Sequence, residues 1–303
     1  MRLTFLGTGA GAPSQQRNVT AIALTLSQRS DIWLFDCGEA TQNQFIRTSL
    51  KISKLQKIFI THMHGDHIFG LPGLLTSRSM AGIEQPISIY GPKGIKLFLE
   101  TALRLSCSCT NFPLDILEIE EGLILDNGEF SVTAWPMNHV IECYGYRIEQ
   151  HDKPGSLDAI RLKAAGIKSG PVYQHLKKGK RIILEDGREI DGMDYLFAPT
   201  KGKVLVIFGD TGPTNIAQEL AANADVMVHE TTLETNLAEK ANVRGHSTTV
   251  QAAWVAKQAG AKRMIATHFS SRYLLQDQPR LLAECQTVFT STELARDFSV
   301  FEV

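Results

Sequence analysis

Between Phe59 and Gly70 the chain reads FITHMHGDHIFG. Three of its nine histidines fall within six residues there, with Asp66 between them. Imidazole and carboxylate groups set directly behind an apolar run cost free energy on burial unless something compensates them, and a bound cation does so. In the pattern His62-x-His64-x-Asp66-His67, His62 and His64 can turn both rings on one ion, while Asp66 and His67, one step further, suit a neighbouring ion. Three more metal-capable residues close apolar runs downstream: His139 after SVTAWPMN, Asp210 after KVLVIFG and His268 after RMIAT. Ligands of α/β folds gather where strands leave the sheet. Adding His139 to the first ion and His268 to the second, with Asp210 bridging, gives seven protein ligands. All are imidazole or carboxylate, a set that suits two zinc ions per chain, with manganese or cobalt as substitutes. Ions about 3.5–4 Å apart lower the pKa of a shared water and clamp the attacking and leaving oxygens of a phosphoryl displacement. His151 and His175 read instead as exposed polar residues.

These residues need strands to carry them. Short β-branched and apolar runs recur between Gly, Pro or Asp: RLTFLG, AIALTL, IWLFDCG, KIFITH, ISIYGP, FSVTAWP, KVLVIFGD, ADVMVHE and RMIATH. Helical character marks Glu39–Arg47, Lys93–Arg104, Asn215–Ala222, Thr248–Gly260 and Arg280–Phe289. Strands followed by helices predict an α/β protein, and the early hairpin-like strands argue against a uniformly parallel sheet.

The 303 residues suffice for one large domain or two small ones, and 43% hydrophobic with 21% charged residues is an ordinary globular balance. No apolar stretch approaches the ~18–20 residues of a membrane-spanning helix. Leu3–Leu6 is shorter than the about 7–15 apolar residues of a signal peptide and reads as a strand, which points to the cytoplasm and away from membranes. Five cysteines without a CxxC spacing read as reduced thiols. The net charge of −1 conceals an asymmetry: residues 147–188 hold ten Lys and Arg against five Asp and Glu, an excess of +5 that leaves −6 for the remainder. This segment is polar, basic and punctuated by Gly and Pro, so it reads as an insertion at about 150–195 projecting from one single domain of 1–303, densest in charge at HLKKGKR. Lys177, Lys178, Lys180 and Arg181 are its candidate phosphate contacts, since Lys and Arg neutralise phosphates without reading sequence.

The motif THMHGDH with downstream His139, Asp210 and His268 resembles the metallo-β-lactamase superfamily. More narrowly, GTGAGAPSQQRN, THMHGDHIFGLPGLL, YGPKG, FGDTGP, HETT and GHST, in that order over the whole length, are similar to the ribonuclease Z family of tRNA 3′-processing endonucleases in its short bacterial form. The resemblance implies a four-layer αβ/βα sandwich with a protruding substrate-binding arm, and a dinuclear zinc site at its edge. It also implies an arm that grips precursor tRNA, often across a homodimer. The expected reaction cuts the 3′ trailer, leaving a 3′-hydroxyl on the tRNA and a 5′-phosphate on the trailer, with 3′ exoribonuclease action and other RNA substrates as extensions. Asp66 matches the family's proton acceptor and His246 of GHST its candidate proton donor to the ribose 3′-oxygen, with Glu230 of HETT holding His246 in the useful tautomer. His229 is expected to make a structural hydrogen bond.

GTGAG follows a strand, yet Pro13 and Arg17 stand where a dinucleotide-binding helix should begin, so the Rossmann reading fails. Close backbone approach by the glycines, with Arg17 and Asn18 beside the RNA end, is the preferred reading. Within the same fold, thioester, lactone and β-lactam hydrolysis would not require the basic insertion or the GHST and HETT pair. A general phosphodiesterase for small diesters is the competing enzyme. A non-catalytic RNA-binding scaffold is the competing non-enzyme, and it would need a ligand lost.

Overall fold

The structure is a computed structural model that describes residues 1–26, 30–184 and 186–303. Two seven-stranded sheets organise it. The first runs, in spatial order, Val300–Glu302, Arg2–Gly7, Ala21–Thr25, Ile32–Phe35, Leu55–Phe59, Ile87–Gly91 and Leu114–Glu118. Its early strands pair antiparallel and its later ones parallel, as the mixed sequence signals require. The second runs Thr292–Leu294, Met264–Thr267, Val226–Glu230, Val204–Ile207, Tyr144–Gln150, Phe130–Pro136 and Gly122–Asp126. Runs such as LVI and MVHE are buried on both faces because helices cover one side of a largely parallel sheet and another sheet covers the other.

Each sheet carries its own helical layer. Thr41–Ile46, Leu71–Met80 and Ile95–Leu105 bury Phe45, Leu71, Leu74, Leu75, Ile95 and Leu99 against the first sheet. Asn215–Leu220, Thr249–Gln258 and Gln278–Gln286 do the same for the second with Ala217, Leu220, Ala252, Ala253, Val255, Ala256, Leu281 and Cys285. Between the sheets, Tyr146 of the second packs its ring on Phe35 and Phe59 of the first, with centroids 5.9 and 5.6 Å apart. Each such aromatic or aliphatic side chain contributes about 1.5–3 kcal/mol on burial, so the four layers are held chiefly by apolar area. Five expected helices form close to their expected bounds. Leu71–Met80, which the helical pattern passed over, starts with Pro72 in its first turn, a position where a missing N–H costs nothing.

Contacts divide the chain into two compact units. The larger is Met1–Asp126, Ser131–Ile148 and Val204–Val303; the smaller is Asn127–Phe130 with Glu149–Lys203. The smaller unit, wider than the expected 150–195, has helices Ala159–Ala164 and Pro171–Lys177 and a hairpin of Arg181–Ile183 with Glu189–Asp191. Asp158 caps its first helix through the Arg161 N–H, and Leu162, Ile167 and Leu176 form a core of its own. Among the described residues no helix is long and apolar enough to cross a membrane.

Candidate metal centre and its proton-donor pair

Strand register brings the candidate ligands together. Phe35 lies opposite Phe59, so Asp36 and the Ile60–His62 segment leave the first sheet side by side. Ile207 lies opposite Val228 and Glu230 opposite Thr267, which sets Asp210, Glu230 and His268 at one end of the second sheet. A bridge between His62 and Cys143 and the Tyr144 N–H donating to the Thr61 carbonyl (2.9 Å) join the two ends. All seven expected ligands meet there. One group holds His62, His64, His139 and Asp210; a second holds Asp66, His67 and His268, the ligand atoms of each group lying within 4.8 Å of one another. Asp210 Oδ2 is 3.6 Å from both His62 Nε2 and His67 Nε2, and its Oδ1 is 3.4 Å from His268 Nε2, so it stands between the groups.

The donors fit a cation. His62, His67 and His268 are buried, and each has an Nε2 without a hydrogen-bond partner. Orphaned buried nitrogens cost free energy unless an ion is their partner. Their Nδ1 atoms are all occupied, His62 by Thr61 Oγ1 (2.9 Å), His67 by Asp36 Oδ2 (2.7 Å) and His268 by Thr232 Oγ1 (2.9 Å), as is that of His139 by the Gly245 carbonyl (2.8 Å). Fixing one ring nitrogen aims the lone pair of the other inward. Asp36 and His268 both adopt left-handed backbone, φ 57°, a strain tolerated where surrounding contacts dictate it. The groups also act on one another's charge. Burial would lower the His67 pKa, yet Asp210, Asp36 and Asp66 hold it well above the ordinary value. Burial and the neighbouring His67 push His62 well below. Burial would raise Asp66, but His67 and His268 bring it down.

Next to the ligands, His246 Nδ1 meets Glu230 Oε1 at 3.0 Å. Glu230 is buried and fully engaged: Oε1 also accepts from the Ser247 and Thr211 N–H groups, and Oε2 from the Thr232 N–H and hydroxyl. Burial alone would lower His246, but its bond to Glu230, and the charges of Glu230 and Asp210, raise it to about 9. Its Nε2 is thereby left for another partner. His229 points elsewhere, with Nδ1 against the Glu230 carbonyl (2.7 Å) and its ring 4.6 Å from that of Phe208. A cavity of about 220 Å³ opens over Asp66, Asp210, His246 and His268.

A chain named ribonuclease BN from Cronobacter sakazakii is 63% identical over 304 residues, covering all of both chains. This chain belongs to the ribonuclease BN family. The crystal structure of human tRNase Z, short form, aligns with a TM-score of 0.71 at 31% identity over 100% of this chain and 99% of that one. A metallo-β-lactamase fold protein from Bacillus subtilis aligns at 0.69 with 20% identity, over 100% and 99% of the two chains, and the fold here is the metallo-β-lactamase one. A family model described as anti-Pycsar protein Apyc1 matches residues 1–151, the part that carries His62 to His139 but not Asp210, His246 or His268.

Within this ribonuclease BN family member, other expected contacts fall differently. Lys177, Lys178, Lys180 and Arg181 are exposed on the smaller unit, and Arg181 is bound to Asp191 Oδ2 at 2.8 Å. Arg17 is 2% exposed, its guanidinium lies 4.7 Å over the Phe269 ring, and Nη1 donates to Thr8. Asn18 spends its side-chain amide on the Glu39 carbonyl. What the GTGAG loop does supply is the Gly11 N–H, donated to Asp66 Oδ2 at 2.7 Å. Asp36, bonded to His67 Nδ1 and Thr61, is a residue of the candidate site that sequence reasoning missed. It ends an apolar run, IWLF, as Asp210 follows one, and that shared position was the available signal.

Proposed function

We propose that this chain is an endoribonuclease that removes the 3′ trailer from precursor tRNA, leaving a 3′-hydroxyl on the tRNA and a 5′-phosphate on the trailer, with further 3′ exoribonuclease action on the same site. As a member of the ribonuclease BN family it is a hydrolase with a His and Asp metal-binding cluster. The observation that carries the reading is the closure of seven ligands from His62 to His268 into two groups, with Asp210 between them and the His246–Glu230 pair alongside. His62, His64, His139 and Asp210 would hold one zinc ion and Asp66, His67, His268 and Asp210 the second, with manganese or cobalt as substitutes. Two such cations supply positive charge to a phosphoryl group and lower the pKa of water. The chain's own groups do the rest. Asp66, steadied by the Gly11 N–H, accepts the proton of the attacking water. His246, charged through its bond to Glu230, donates from Nε2 to the departing ribose 3′-oxygen.

The chain acts as one domain of 1–303 whose inserted smaller unit is the substrate arm, with Lys177, Lys178 and Lys180 on RNA phosphates. Exposed apolar residues on adjacent helices of the first layer, Ile46, Met80, Leu97 and Leu105, support a homodimer. Action in the cytoplasm is part of the same reading. End-mapping of products from a precursor tRNA with a 3′ trailer, for the intact protein and His246→Ala, tests the proposal. A cut at the acceptor end that is slowed in the variant is expected. Cleavage far from the acceptor stem, or equal rates for both proteins, refutes it.

A further inference from the structure

Two basic groups on the wall of the cavity have no part in the chemistry so far. Arg244 and Arg272 both line the space that Asp66, His246 and His268 face. Both are exposed, and among the described residues neither guanidinium has a carboxylate within salt-bridge distance. Among the described residues Arg2, Arg47, Arg104, Arg161 and Arg296 are also exposed without a carboxylate partner, but of the unpaired arginines Arg244 and Arg272 are the two that line this cavity. Arg272 makes one weak contact, Nε to Ser270 Oγ at 3.3 Å. Two uncompensated cations beside buried carboxylates imply an anion that arrives with the substrate.

Arg244 is held in place by its backbone. Helix Ala238–Val243 ends in a turn where the Arg244 and His246 N–H groups both donate to the Ala241 carbonyl and Gly245 adopts φ 70°. A Cβ at Gly245 would come within 2.7 Å of His139 Nδ1, so this turn is pressed against a metal-ligand candidate. Arg244 therefore leaves the same tight turn as His246, two residues away. A nucleic-acid strand carries a phosphate at every linkage, so a strand with one phosphate at the centre brings its neighbour to the wall. Guanidinium is the side chain whose planar fork matches that group.

We propose that Arg244, with Arg272 on the same cavity wall, grips the non-scissile phosphate next to the reacting one, so that the pocket favours a polynucleotide strand over an isolated diester. This rests on the reading of the cavity as an RNA-cleaving site. The test is steady-state cleavage of precursor tRNA by wild type, Arg244→Gln and Arg272→Gln across a salt series, repeated on substrates with a neutral methylphosphonate at the linkage 5′ or 3′ to the cut. Each variant is expected to raise KM about tenfold with kcat within about twofold, and to flatten the salt dependence by roughly one charge. For one of the two methylphosphonate substrates the penalty disappears, because the partner charge is already gone. Unchanged KM and salt slope, a loss confined to kcat, or equal penalties on every substrate overturns the assignment while leaving the RNA reading standing. A wild type that leaves precursor tRNA intact removes both.

Discussion

Replacing Asp36 by Asn separates aiming a ligand from being one. Asp36 Oδ2 takes His67 Nδ1 at 2.7 Å and the Thr61 hydroxyl at 2.9 Å, while Oδ1 accepts the Thr61 N–H at 2.8 Å. Asn has the same shape and tolerates the left-handed backbone of φ 57° found there. With its oxygen kept on the Thr61 N–H, its NH₂ must face His67 Nδ1 and donate to it. His67 would then carry its own proton on Nε2, the nitrogen that faces the cluster, and could not bind a cation in that tautomer. Loss of such an orienting partner typically weakens metal affinity 10- to 100-fold, about 1.4–2.7 kcal/mol. The assay is competition for zinc against a chromogenic chelator, with hydrolysis of a small chromogenic diester followed at limiting and saturating metal. Activity should be low at limiting metal and recover as zinc is raised. Equal affinity for Asp36→Asn and wild type would refute the claim that this carboxylate sets the His67 tautomer.

Three further outcomes follow from the same geometry. His246 carries a proton until about pH 9, against an ordinary value near 6.5. Its acid form, and the stability from its pairing with Glu230, are therefore complete below about 6.5 and fade as pH rises through 9. The basic limb of a kcat/KM pH profile should lie near there and move to lower pH in Glu230→Gln, with kcat of His246→Ala down roughly 10²–10⁴-fold at neutral pH. Gly245→Ala should lower thermal stability by at least about 1–2 kcal/mol from its left-handed backbone alone, because only glycine fits against His139 there. Changing Lys177, Lys178 and Lys180 together to Glu should raise KM for precursor tRNA and flatten its salt dependence, read by kinetics at two or more ionic strengths.

Much of the site was legible because four of the seven candidate ligands follow an apolar run and the other three cluster behind His62, patterns that can be read from a few neighbouring residues. His62, His139, Asp210 and His268 needed no knowledge of which strand pairs with which. Their second partners did. That Gly245 would brace His139, or Thr232 brace His268, depends on contacts between segments more than thirty residues apart. The burial of Arg17 was hidden for a related reason: an arginine in a glycine-rich loop looks solvent-bound until Phe269, far along the chain, appears beneath it. The short outer strands Thr292–Leu294 and Val300–Glu302 have only three residues each, too few for an alternating pattern to register. Leu71–Met80 was hidden by a Pro and a Gly that signal turns yet sit harmlessly in a first helical turn.

The loops that carry the imidazoles and carboxylates come from both sheets, so a cation held by them would double as a fastener across the aromatic seam of Phe35, Phe59 and Tyr146. Damage to that seam, in residues that are not themselves ligand candidates, would show itself in an assay as poor metal retention. Zinc concentration then becomes a diagnostic: excess ion should rescue a variant whose seam is loose and do nothing for one whose ligand is missing.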